Sequence, residues 1–265
     1  MSNTIIAAPY EAIAHMQALV LEDVEEPLLT ASDASQRLFR IRAANSEGHR
    51  SSANILVSRM YAWRGYQTLS ALAPVVDSNN RITLVAQDHD ATIGTMSIGF
   101  DRPEGLFVAD VFPDEVDALR REGRTICEFT KLAVDSVVRS KRVLASLFHV
   151  AYIYAYRLNG FDSLLIEVNP RHVRYYERML GFRVIGPKRI NRRVNAPAML
   201  MCLDFSHAHA QIERFGGRPQ ASEVERSLYP YFFSIKEEAG IVARLHGPRV
   251  QPGHAPLNHL SVVAS

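Results

Sequence analysis

Residues 163–182 constrain the fold more than any other stretch of the chain. Ser163-Leu164-Leu165-Ile166-Glu167-Val168 is short and almost continuously apolar, the composition of a buried strand. It ends at Asn169-Pro170, where proline suits the first turn of a helix because its missing N–H is not needed there. The helix so opened runs to Leu180, stops at Gly181 and hands over to a further strand at 182–185. The amides at such a helix start, beside a sheet, can hold an oxygen of a ligand. Tyr175 and Tyr176 are adjacent and cannot face the same way. One can point to a cleft while the other packs or meets solvent, and two ordinary packing tyrosines fit the residues as well.

The remaining pattern is mixed α/β. Alternating apolar and basic side chains predict a strand at 38–42, and two strands at 82–86 and 92–100 flank the polar turn 87–90. Residues 125–134 read as a longer strand, and 198–204 as the last one. Helices are expected over 51–66, 114–122, 143–158, 207–215 and 235–245, with a loop at 101–111 and a basic connection at 186–193. A short helix at 10–21 and the acidic, proline-closed linker 22–27 precede them. The expected division is an N-terminal helix and linker (1–33), one mixed α/β domain (34–205) and a C-terminal helical extension with a tail (206–265).

Composition removes several function classes. With 47% hydrophobic and 22% charged residues, the 265-residue chain is neither disordered nor low-complexity. A net charge of +2 gives no general reason to expect nucleic acid as a partner. Cys127 and Cys202 are too few for a disulfide framework or a thiolate zinc site and suit a reducing cytoplasm, where localisation is expected. The start lacks a secretory pattern, and the apolar run 143–158 is shorter than the roughly 20 residues of a membrane span and contains His149 and Arg157. The ten histidines are scattered, so no metal is expected, and no glycine-rich dinucleotide motif calls for a cofactor.

Glu128 is the single most informative residue. Regular alternation sets Ile126, Glu128, Thr130, Leu132 and Val134 on one face of their strand, so a carboxylate stands among apolar side chains. Desolvation would raise its pKa toward the range of a base at neutral pH. An ion pair with an arginine, Arg124 or Arg42 for instance, accounts for the same pattern. Cys127 faces the other side and reads as a buried structural thiol.

Three stretches carry a resemblance. They are Ile41-Arg42-Ala43-Ala44-Asn45-Ser46-Glu47, the run 113–135 with Ile126-Cys127-Glu128-Phe129-Thr130-Lys131-Leu132-Ala133-Val134, and residues 169–182. Together they make residues 37–205 similar to the GNAT acyltransferase superfamily, and more narrowly to the long-chain N-acyl amino acid synthases, relatives of the acyl-homoserine-lactone synthases. The resemblance implies a mixed, mostly antiparallel sheet with a splayed parallel strand pair, helices on both faces and extra terminal helices. It also implies transfer of a medium or long acyl chain from an acyl carrier protein (or CoA) thioester to the α-amino group of an amino acid.

On that resemblance the pantetheine arm lies between the strands at 125–134 and 163–168. Thr130, Leu132, Ala133 and Val134 would bind it, Glu128 would act as base directly or through water, Tyr176 would protonate the leaving thiolate, and Asn169 would orient the cleft. Glycine is missing from Val138-Arg139-Ser140-Lys141-Arg142-Val143-Leu144-Ala145, where CoA-using relatives carry a pyrophosphate loop. That favours a carrier-protein donor docking on Arg139, Lys141 and Arg142, with Lys188, Arg189, Arg192 and Arg193 as a second basic group. The same cations also read as a solvated surface. Arg42 and Arg102 are the candidates for holding the acceptor's carboxylate. The 143–158 helix and Tyr229-Pro230-Tyr231-Phe232-Phe233 are material for an acyl tunnel or for plain core. A lactone synthase and a non-catalytic acyl-carrier or lipid-binding module are the alternative functions.

Overall fold

Alternation turns Leu38–Ala43 (β2), Arg81–Asp88 (β3), Ala91–Phe100 (β4) and Ile126–Val134 (β5) into an antiparallel run, each strand paired with the next. The computed structural model describes residues 4–10, 38–66, 80–138 and 140–246. Of the helix expected at 10–21 only Tyr10 is described. The acidic linker, Arg139 and the tail from 247 lie outside the described residues.

Five further strands among the described residues complete the main sheet. Thr4–Pro9 (β1), which the sequence reading passed over, pairs with β2. Ser163–Val168 (β6) lies parallel to β5 and antiparallel to Ala196–Asp204 (β9), and the two-residue β7 (Arg183–Val184) adds to β9. Part of the expected basic connection is also a strand, β8 (Arg189–Asn191), likewise paired with β9. The order is β1-β2-β3-β4-β5-β6-β9-β7. This is the mixed, mostly antiparallel sheet that was expected.

Helices cover both faces. Glu47–Trp63 (α1) is capped by Ser46, whose hydroxyl accepts from the His49 amide. Pro113–Arg121 (α2) opens on proline with Asp114 and Glu115 and closes on Arg120 and Arg121, charges that complement its dipole. These two helices sit on one face, with Val116 packed on Ile126 and Leu165, and Leu56, Val57 and Met60 packed on Ala133. The opposite face carries Lys141–Tyr152 (α3), Phe205–Phe215 (α5) and Ile235–His246 (α6). Val173–Leu180 (α4) ends at Gly181 in a left-handed conformation, where an added Cβ would run into His207.

The expected borders at 33 and 206 do not divide the core. Ile5 and Ala8 at one end, and Phe205, Tyr229, Phe233 and Ile241 at the other, join the cluster that holds Met96, Phe129 and Leu147. Buried His149 ties the C-terminal part to α3. Its Nδ1 accepts from the Phe233 amide at 2.9 Å, which leaves Nε2 to donate to Glu238 at 3.1 Å.

Candidate active site

Strand β5 is not regular. Its pairing with β4 skips from Ser97↔Thr130 to Thr95↔Ala133, so Lys131 and Leu132 together oppose Met96, and Lys131 takes φ 51°. This is a β-bulge, and one extra residue exchanges the faces of everything after it. Ile126, Glu128 and Thr130 face α1 and α2. Beyond the bulge Ala133 faces α1, while Leu132 and Val134 pack with the α3-side core. The expectation that Leu132 and Val134 share a face with Glu128 is corrected by that bulge.

Just before this bulge β5 parts from β6. They pair only at Ile126↔Ser163, Cys127↔Leu164 and Glu128↔Leu165. From there β5 continues with β4 as far as Val134, and β6 continues with β9 through Val168↔Met199. A cleft of about 450 Å³ fills the opening, a volume suited to a small-molecule chain.

Each side of the sheet gives this cleft a different chemistry. On the α3 side it is walled by Phe129, Leu132, Val134, Leu144, Phe148 and Ile166, all apolar. On the α1 side stand Thr130, Glu167, Tyr61, Arg64 and Asn191. The Thr130 Oγ1 is buried without a protein partner, a hydroxyl ready for a ligand. Lys131, on the bulge, lines the cleft, and burial together with the nearby Arg81 lowers its pKa. Tyr176 lines it from α4, its ring edge-on to Tyr175 and Phe182. Burial, with Tyr175 and Tyr61 nearby, raises the Tyr176 pKa, so the phenol stays protonated at neutral pH. Tyr175 also reaches the cleft but is 40% exposed. Asn169 caps the short 3-10 turn Pro170–His172, its side-chain oxygen accepting from the Arg171 amide, and it too lines the cleft.

Other expectations are corrected. Glu128 is fully buried at the closed end of the splay and is not among the lining residues. Its Oε1 accepts from Arg81 Nη2 at 2.7 Å and the Phe107 amide at 2.9 Å, and its Oε2 from the Val108 amide at 2.9 Å. A carboxylate so enclosed anchors the 3-10 turn Phe107–Asp110 and has no face on the cleft. Its arginine is Arg81, not Arg124 or Arg42. Ala133 is buried against α1 and is not among the residues that line the cleft. Arg42 lies on β2, near Thr4, and Arg102 near the Phe100 ring, and neither lines the cleft.

The basic groups divide. Lys141 is exposed over the Tyr231 ring, but Arg142 donates to the Tyr231 carbonyl and stacks over Phe233, holding the C-terminal segment. Arg189 is bound to Glu115 and Arg193 to Asp110, each at 2.6 Å, whereas Lys188 and Arg192 are exposed. Tyr229, Phe232 and Phe233 are core rather than tunnel.

Gly99 lies beside the Glu128 anchor, and a Cβ there would come within 2.8 Å of Arg81 Nη1 and 2.9 Å of the Glu128 side chain. Gly99→Ala is expected to cost about 1–3 kcal/mol in a denaturant melt, because a buried ion pair cannot step aside. An unchanged midpoint would show that the pair yields freely.

The bulged, splayed strands and this cleft define an N-acyltransferase of the GNAT fold. A family profile described as the N-acyl amino acid synthase FeeM matches residues 52–204, more than half of the chain, and the chain belongs to that family. The solved structure of FeeM, an N-acyl amino acid synthase from uncultured soil microbes, is 28% identical with a TM-score of 0.61, covering 66% of this chain and 94% of that one. An N-acetyltransferase from Staphylococcus aureus Mu50 is 16% identical over 63% of this chain and 98% of its own, with a TM-score of 0.45. The CoA-dependent acyl-homoserine lactone synthase BjaI is 15% identical over 63% and 80%, with a TM-score of 0.46. Among curated proteins no significant match is found. No helix among the described residues is long and apolar enough to cross a membrane.

Proposed function

We propose that the protein transfers a medium or long acyl chain from an acyl carrier protein thioester to the α-amino group of an amino acid. The observation that carries this reading is the two-sided cleft, apolar toward α3 and polar toward α1. A fatty chain fits the first side, an amine and a carboxylate the second. The pantetheine arm lies between β5 and β6, where neither strand is paired with the other beyond Glu128↔Leu165. Thr130 and the backbone around Leu132 and Val134 line its path, and Asn169 fixes the helix start beside it. The acceptor's carboxylate meets Lys131 and Arg64, cations that line the cleft and form no ion pair among the described residues. The donor docks with Lys141 and with Arg139, two residues earlier in the sequence, cations whose charge suits an acidic carrier.

Tyr176 supplies the proton that the leaving thiolate takes up. Tyr176→Phe removes that proton and leaves the ring packing, so kcat is expected to fall about 10²-fold with KM almost unchanged. An unchanged kcat would remove the assignment. The reading as a whole is tested by incubating the protein with carrier protein bearing fatty chains and all the amino acids, then weighing the products. N-acyl amino acids are expected. No amide from any pairing would overturn the reading, equal use of acyl-CoA would count against carrier docking, and lactone formed from S-adenosylmethionine would reverse the choice of acceptor.

A further inference from the structure

Glu167 is the only carboxylate among the described residues lining the cleft. It sits on β6 two residues beyond the last β5–β6 pair, where the strands have already parted. Alternation from Leu165 turns its side chain to the polar side, the side that Thr130 faces across the opening. Its carboxylate is held but not closed off. The Asn191 amide donates to Oε2, Arg193 Nη2 reaches the two oxygens at 3.1 and 3.3 Å, and 12% of the side chain stays exposed. Arg193 makes its shorter contacts elsewhere, at 2.6 Å to Asp110 and 2.8 Å to the Phe107 carbonyl. Arg193 is therefore fixed by the same turn that Glu128 anchors, and Glu167 takes the remaining edge of its guanidinium.

We propose that Glu167 takes the proton from the acceptor's ammonium group, directly or through one water, a role that rests on the acyl-transfer reading above. The ammonium gives one proton to the carboxylate, and the freed amine attacks the thioester carbonyl carbon. As the tetrahedral adduct collapses, the C–N bond stays and the C–S bond breaks. The sulfur leaves with the proton of Tyr176, and the second proton lost from nitrogen restores that phenol. Glu167 returns its proton to solvent, so one amide, one thiol and one proton are formed from one ammonium and one thioester.

The surroundings suit a base working near neutrality. Burial raises the Glu167 pKa to about 7, Arg193 and Asn191 acting against the rise and Glu128 with it. Tyr61 on α1 faces the carboxylate too, and its own pKa is pushed up to about 12, so it remains a neutral phenol. Arg64, Lys131 and Tyr176 also line the cleft. His172 also lines the cleft, and burial with Arg171 and Arg64 nearby lowers its pKa. Its Nε2 already accepts from Arg171 Nε at 3.2 Å, which puts the ring hydrogen on Nδ1 and leaves no free lone pair.

The test uses the full chain, a fatty acyl carrier protein and an amino acid that the wild type acylates, with kcat/KM followed from pH 5 to 9. The wild type is expected to show an acid limb centred about pH 7. Glu167→Gln should lower kcat by at least about 10²-fold and abolish the limb while keeping its melting point. It should lose much less with an amino acid amide, whose amine is less basic. Asn191→Ala, a second variant in case the first misfolds, removes a bond that holds the pKa down and should move the limb to higher pH. A Glu167→Gln enzyme that retains its rate and its limb overturns this inference and leaves the acyl-transfer reading standing. Absence of amide from the wild type with every pairing overturns both.

Discussion

Glu128→Gln is expected to unfold the protein early, by about 10 °C in a thermal melt, rather than to yield a folded and inactive enzyme. The carboxylate has only donors around it: Arg81, the Phe107 amide and the Val108 amide. A glutamine must turn its NH2 toward one of them, so a donor faces a donor with no water to relieve it. Loss of the charge also leaves the Arg81 guanidinium, 13% exposed, without its partner. Breaking a buried pair in this way costs about 3–5 kcal/mol, and each kcal/mol lowers the midpoint by about 2–4 °C in a domain of this size. The turn Phe107–Asp110 would loosen with it, and through Arg193 the setting of Glu167 would go too. A base in contact with substrate predicts the opposite pattern, full stability with activity lost. Differential scanning calorimetry beside the kcat measurement separates the two, and an unshifted melt with lost turnover would return Glu128 to the role of base.

Which parts of this arrangement were legible in the sequence follows from the distance over which each is decided. The strand 163–168, the proline at the start of its helix and the stop at Gly181 are local, and all stand where they were expected. That Glu128 would be a desolvated carboxylate was also legible, since alternation alone places it among buried neighbours. Its partners were not. Arg81 and the amides of Phe107 and Val108 come from another strand and a distant turn, and only the fold brings them to one point. The bulge gave no warning, because Lys131 adopts a positive φ without a glycine, and alternation carried past it assigns Leu132 and Val134 to the wrong face.

Glu167 is a different case, because the signal was present. It is the one acid in a strand that is apolar apart from Ser163, two residues before Asn169, and apolar neighbours desolvate a carboxylate there as they do at Glu128. What sequence could not decide between the two is which one the splay exposes. The parting of β5 and β6 falls after Leu165, so two residues separate a sealed anchor from a carboxylate in the cleft. Tyr176 was legible in a weaker sense. Val173, Tyr176 and Leu180 recur at helical spacing and all meet the core, whereas Tyr175 falls off that face.

Leu144→Trp is expected to disfavour long acyl chains relative to short ones. Leu144 is half-buried on α3 and walls the apolar side of the cleft together with Phe148, across from Phe129 and Leu132. An indole there fits without crushing the core, because the side chain projects into open volume, but it fills space that a long chain would use. If it displaces about four methylenes at about 0.8 kcal/mol each, the loss is about 3 kcal/mol, or about 10²-fold at 1.4 kcal/mol per decade. The quantity to follow is the ratio of kcat/KM for a twelve-carbon donor to that for a four-carbon donor, both on the same carrier. A fall of about 10² in that ratio is expected, since the short chain ends before it meets the indole. The ratio also guards against a trivial cause, because a general loss of folding or of acceptor binding lowers both rates alike. Were the ratio to stay constant, the fatty chain would have to run elsewhere, and the apolar side of the cleft would need another occupant.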